Sequence, residues 1–122
     1  MEASSNFPPL LEIRTARGKK FIHTSEITHI KSANKHCLVH FINSDTPIEA
    51  HCLLKWFTEN LPEPQYCRCP DSYIVNFGFY DCISGNNIVL RNNVFIPISA
   101  KRKNSCIQML KGYLIDIKRI CA

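Results

Sequence analysis

The feature that most restricts the fold is the spacing of short apolar runs. "KKFIHT" (19–24), "ITHIK" (27–31), "HCLVHFI" (36–42), "SYIVNF" (72–77), "NIVLR" (87–91) and "VFIPI" (94–98) are rich in β-branched and aromatic residues. Turn-forming stretches separate them: "ARGKK" (16–20), "NSD" (43–45), "SGNN" (84–87) and "RNN" (91–93). Gly and Asn tolerate positive φ, and Asn and Asp bond to their own backbone, so these stretches end regular structure. Runs this short and evenly spaced predict antiparallel strands joined by hairpins. "NIVLRNNVFIPI" is the clearest hairpin, with Asn92-Asn93 at its tip. Pro97 then belongs on an edge or at a strand end, because it has no N–H for a ladder.

Two segments depart from this pattern. In "EAHCLLKWFTENLPEP", Ala50, Leu53, Leu54, Phe57 and Leu61 follow helical spacing, and Pro62 ends the helix. From Ser99 onward, "SAKRKNSCIQMLKGYLIDIKRI" places Ile107, Leu110, Leu114 and Ile117 on one helical stripe, with Ser99 as N-cap. Gly112 either ends that helix or weakens it. "YLIDIKRI" also alternates, so a last strand is the competing reading. No repeat, linker or low-complexity tract divides the chain. Residues 1–8 read as a loose tail and 9–122 as one domain, with an extension after about residue 111.

At 122 residues there is enough chain for one core. Apolar residues at 45% and charged residues at 20% exclude a disordered chain. The N-terminus, "MEASSNFPPLLEIR", lacks the basic start and apolar centre of a secretory signal. No apolar run approaches the roughly 20 residues that a membrane helix needs. Seven cysteines, an odd number, are therefore read as reduced thiols in a cytoplasmic protein, most of them small apolar fillers.

Catalytic and metal chemistry find little support. Cys67 and Cys69 are spaced C-x-C, without the second pair of a structural zinc site, so no metal and no other cofactor is expected. On a strand the two would face the same side and pack inward. Arg68 beside Cys69 makes a reactive thiolate conceivable, but no C-x-x-C motif is present. There is no glycine-bracketed serine, H-E-x-x-H or P-loop, so no catalytic residue or small-molecule substrate is assigned. His36 and His40 lie four apart in a strand-like run and share a face, with no carboxylate seen to orient either.

The cations are more informative. The net charge is +5. "SAKRK" puts Lys101, Arg102 and Lys103 after a strand and at the start of a helix. Cations there oppose the helix dipole. They are well placed to grip phosphate, where side-chain charge adds to free backbone N–H groups. Lys31, Lys35 and His36 flank a second loop, and Arg68 heads a third. Three cationic loops on a β-scaffold suit a polyanion.

"YCRCPDSYIVN" resembles the signature of LytTR-type DNA-binding domains, the output domains of bacterial LytR/AlgR response regulators. Upstream, "ITHIKSANKHCLVHF" is similar to the family's strand, polar loop and second strand. "LLKWFTENLP" resembles the helix that ends in Leu-Pro before the signature. Downstream, "IVLRNNVFIPISAKRKNSCIQML" resembles the final hairpin and closing helix. The pieces occur in the family's order and cover about residues 10–110.

The resemblance implies a mainly β, elongated fold of short antiparallel strands in small sheets, with one short helix in the middle and a C-terminal helix. It implies sequence-specific binding of double-stranded DNA, often at paired repeats, through loops that enter successive grooves. The base-reading positions would fall on Lys35 with His36, on Pro70-Asp71, and on Lys101 with Arg102. Arg68 and Lys103 would hold the backbone beside them, and a homodimer or a partner regulator would be compatible. Ser72 and Asn76 match polar signature positions, Asn76 as a shaper of the strand end. Asp71 departs from the family's usual basic or amide residue, and a carboxylate there is repelled by phosphates unless it accepts a bond from a cytosine amine. If the chain is complete, it has no phosphorylatable receiver of its own. The alternative reading is a LytTR-like protein-interaction module with weakened DNA binding.

Overall fold

The computed structural model describes residues 10–62, 65–68 and 72–121, with side chains through residue 115. Its strands are β1 (Leu10–Thr15), β2 (Gly18–His23), β3 (Ile27–Ala33), β4 (His36–Phe41), β5 (Ile48–Ala50), β6 (Tyr66–Arg68), β7 (Tyr73–Asn76), β8 (Tyr80–Ser84), β9 (Asn87–Leu90) and β10 (Phe95–Pro97). The helices are α1 (Leu54–Asn60) and α2 (Ala100–Cys121). Every sheet pairing is antiparallel. β1 and β2 form a two-stranded sheet, five strands are ordered β5-β4-β3-β7-β6, and three are ordered β10-β9-β8. The fold is therefore mainly β, in small sheets, with a short middle helix and a C-terminal helix. The N-terminal tail and the residues Cys69, Pro70 and Asp71 lie outside the described residues. Among the described residues, no helix is long and apolar enough to cross a membrane.

Turn chemistry sets the hairpins. Gly18 (φ 106°) and Gly85 (φ 59°) take left-handed backbone that costs other residues energy, and they join β1 to β2 and β8 to β9. Asn34 (φ 60°) and Asn93 (φ 65°) do the same between β3 and β4 and between β9 and β10. Pro97 sits on the edge strand β10, where no ladder donor is missed.

β7 divides two cores. Its side chains alternate across the sheet, so Ile74 packs with Ile30, Val39, Phe57 and Leu61, beneath α1. Val75 and Phe77 pack on the other face with Cys67, Ile88, Leu90, Ile96, Cys106 and Leu110. The three-stranded sheet and α2 close this second core. Asn76, 1% exposed, ties the strand end together. Its Nδ2 donates to the Ile27 carbonyl at 2.7 Å, and its Oδ1 accepts from the Gly78 N–H at 2.8 Å and the Gln65 amide at 3.2 Å. A buried side-chain amide with all three bonds made is a structural element.

Three expectations need correction. The middle helix begins at Leu54, whereas Ala50 lies on β5 opposite Cys37. Ala50 is buried either way, and its backbone is satisfied by pairing with β4, which local periodicity does not register. Leu53, expected on the apolar stripe, is 59% exposed. The C-terminal segment is one helix through Gly112 to Cys121, so the strand alternative fails. Its buried face is carried by Cys106 and Leu110, flanked by Met109 and Tyr113, while Leu114 faces outward and the Ile117 side chain lies outside the described ones. The packing surface of the small sheet chose this face over its neighbour. β1, β5, β6 and β8 are strands that the spacing of apolar runs did not single out.

Candidate nucleic-acid interface

The sheet registers bring separate loops to one end. β3 turns into β4 through Asn34-Lys35, with Ala33 opposite His36. β7 pairs with β3 from Tyr73 opposite Lys31, and β6 ends at Arg68 opposite Ile74. Lys35, His36, Arg68 and the start of β7 therefore share one end of the five-stranded sheet. Lys35 and Arg68 are exposed and His36 is half-buried. The Arg68 charge reaches the start of β4: burial pushes the Cys37 thiol up, and Arg68 pulls it partly back. Residues 69–71, Asp71 among them, lie outside the described residues. The Ser72 carbonyl accepts from the Ser32 N–H at 2.8 Å, which ties the start of β7 to β3.

The third cationic group sits on α2. Lys101 and Arg102 are exposed, and the Arg102 N–H bonds the Ser99 carbonyl at 3.0 Å in the first helical turn. Lys103 is tied inward. Its ammonium donates to the Gly85 carbonyl at 3.0 Å and to Asn86 Oδ1 at 3.3 Å, pinning the helix start to the β8–β9 turn. Two contacts fix the direction of the helix. Tyr113 lies against Phe77, with ring centroids 6.1 Å apart, and Met109 Sδ accepts from Cys67 Sγ at 3.3 Å. From Tyr113 to Met109, α2 thus runs back from the end of β7 toward Arg68. Eight further residues at about 1.5 Å each carry it about 12 Å onward to Lys101. The helix N-terminus points to the end of the sheet that carries Lys35, His36 and Arg68.

The face of the five-stranded sheet opposite α1 carries four imidazoles, buried at His29 and half-buried at His36, His40 and His51. His29 and His40 are paired across β3 and β4 and stack with centroids 4.2 Å apart. His29 is 5% exposed, and burial, with His40 and Lys31 adding repulsion, lowers its pKa to about 4. Lys31 Nζ lies 5.8 Å from the centre of the Tyr73 ring. His36 and His51 form a second stack at 4.2 Å. Contrary to expectation, a carboxylate does orient His36: its Nδ1 lies 3.1 Å from Glu49 Oε2. Glu49 and His51 were not foreseen because only the β4–β5 register, with no local sequence signal, sets them beside His36.

The thiols mostly fill space. Cys37, Cys67 and Cys106 are buried, Cys52 is half-buried and Cys82 is exposed. Burial, with Cys37 next to it, raises the Cys52 pKa to about 11, which keeps it protonated.

Comparison with known proteins places this geometry. The pattern of the LytTr DNA-binding domain matches residues 18–111. No curated protein sequence matches the chain. Among solved structures, the fold is similar to the LytTr DNA-binding domain of a Bacillus cereus protein described as a methyl-accepting/DNA response regulator. That match has a TM-score of 0.69 at 20% identity and covers 86% of this chain and 98% of the other. With most of its length inside the matched pattern, the chain belongs to the LytTr DNA-binding domain family.

Proposed function

We propose that the chain is a sequence-specific, duplex-DNA-binding transcriptional regulator. The observation that carries this reading is the convergence of Lys35, His36 and Arg68 on one sheet end, with the N-terminus of α2 aimed at the same end. In a family of DNA-binding domains, a cationic end built from loops is the surface to offer to a duplex. His36 and Lys101 read base edges. Lys35, Arg68 and Arg102 hold phosphates. Lys103 acts partly through the β8–β9 turn, which it braces. Asp71 fits a reader that accepts from a base amine at a cost in general affinity. Paired sites would be met by two copies or by a partner regulator.

About four to six phosphate contacts per copy give a slope of log K against log salt of about −4 to −5. Fluorescence anisotropy with duplex DNA across a salt series measures it. A flat response, or no binding at low salt, sinks the DNA reading. It would favour the second reading, a LytTR-like module that acts on a protein partner, to which Asp71 is the pointer.

A further inference from the structure

His36, Glu49 and His51 are distant in the sequence from any recognisable metal motif, yet one sheet edge gathers them. β4 and β5 pair with Cys37 opposite Ala50 and Leu38 opposite Glu49. One step beyond Cys37 and Ala50, His36 and His51 face each other, and Glu49 lies diagonally across on the same outward face. The ligand atoms of the three all lie within 4.8 Å of one another. His36 Nδ1 and Glu49 Oε2, at 3.1 Å, are already spaced like two ligands of one tetrahedral ion, whose bonds run about 2.0–2.1 Å. The backbone is fixed at both strands: the His51 N–H bonds the Arg14 carbonyl at 2.7 Å, which seats β5 beside β1.

We propose that His36, Glu49 and His51 form a binding site for a first-row divalent transition cation. Two imidazoles and one carboxylate suit zinc-like ions better than magnesium or calcium, which take oxygen ligands. The rings now stack with an interplanar angle of 11°, so uptake needs one of them to turn about its Cβ–Cγ bond until both lone pairs converge. Three protein ligands leave a fourth position to water. Cys37, next to His36, is not a ligand of this site, because it lies on the opposite, core-facing side of β4.

The site has a consequence that rests on His36 being a base reader. With Nδ1 held by the ion, the other ring nitrogen carries the proton and is an obligate donor. Base edges that accept, guanine N7 and O6 above all, would then be favoured. The ion also neutralises Glu49 beside the DNA-facing end.

The test uses the full chain and Zn²⁺ as probe, with the ring nitrogens of the histidines followed by NMR. The rings of His36 and His51 should shift together and saturate at one equivalent. His51→Ala and Glu49→Gln should each weaken uptake at least about tenfold, the range already seen when mere supports of metal ligands are removed. His51→Ala keeps the backbone bond to Arg14, and unchanged backbone spectra verify its fold. If the first equivalent leaves both rings unmoved, or the variants take up zinc as the native chain does, the site is refuted, whatever the protein does with DNA. Anisotropy with and without zinc tests the coupling separately. Zinc should tighten duplex binding by the native chain and leave His51→Ala unaffected. Ring shifts with no change in duplex affinity would uphold the metal site and overturn His36 as a reader.

Discussion

Asn76 offers the sharpest test of how the two cores are joined. Its amide is 1% exposed and bonds the Ile27 carbonyl, the Gly78 N–H and the Gln65 side chain. Asn76→Ala removes all three and leaves the Ile27 carbonyl and the Gly78 N–H without these partners. At about 1–3 kcal/mol for each buried group left unpaired, the loss is about 2–6 kcal/mol. Asn76→Asp keeps the shape and both acceptor bonds. It replaces the donor to Ile27 with a carboxylate oxygen 2.7 Å from a carbonyl. An uncompensated buried charge costs about 3–5 kcal/mol. Burial and the facing carbonyl both disfavour ionisation, so the folded protein holds the proton more tightly than the unfolded chain does. Stability is then lost as pH rises above the ordinary carboxylate range and regained as pH falls into it, where the protonated acid donates to Ile27 again. Urea unfolding of the native chain and both variants, at about pH 7.5 and about pH 4.5, measures this. Differences from the native chain at each pH remove the titration of other groups. The Asn76→Asp deficit should shrink at the lower pH, and the Asn76→Ala deficit should not. Equal Asn76→Asp deficits at both, or a deficit below about 1 kcal/mol for both variants, would show that the bond to Ile27 does not hold the strand end.

The native chain should itself lose stability in acid. His29 binds its proton at about 4 when folded and near 6.5 when unfolded. The unfolded state therefore takes the proton first, and stability declines as pH falls from 6.5 toward 4, by about 3 kcal/mol at 1.36 kcal/mol per unit. An NMR titration that finds the His29 ring protonating near 6.5 would refute this. For DNA, Lys101→Ala should cost about 1–3 kcal/mol on the preferred site and relax its specificity, whereas Arg102→Ala should weaken all sequences alike. Unchanged rank and strength of sites for Lys101→Ala would cancel its role as a reader. Asp71→Asn should bind non-specific duplex more tightly and shift one preferred base from cytosine toward adenine. Parallel site selections that return the same site and affinity would mean that Asp71 points away from DNA.

Local chemistry alone determined much of this protein. Asn, Gly and Pro marked the hairpins, because positive φ and a missing N–H are properties of single residues. Alternation within "SYIVNF" puts Tyr73, Val75 and Phe77 on one face and Ile74 on the other, and the two cores respect that division. The ordered motifs carry the family resemblance in the sequence alone. What local pattern could not supply was partnership. Ala50 fits a helical stripe and an edge strand equally well, and only the presence of β4 beside it chose the strand. The face that α2 buries was decided by the sheet beneath it, since several neighbouring stripes on that helix are apolar enough to serve. The union of His36 with Glu49 and His51 depends on a strand register, and the gathering of Lys35, His36 and Arg68 depends on strand order. Register and order are long-range choices, made by burying whole faces at once, so they belong to the tertiary structure and leave no mark on a window of sequence.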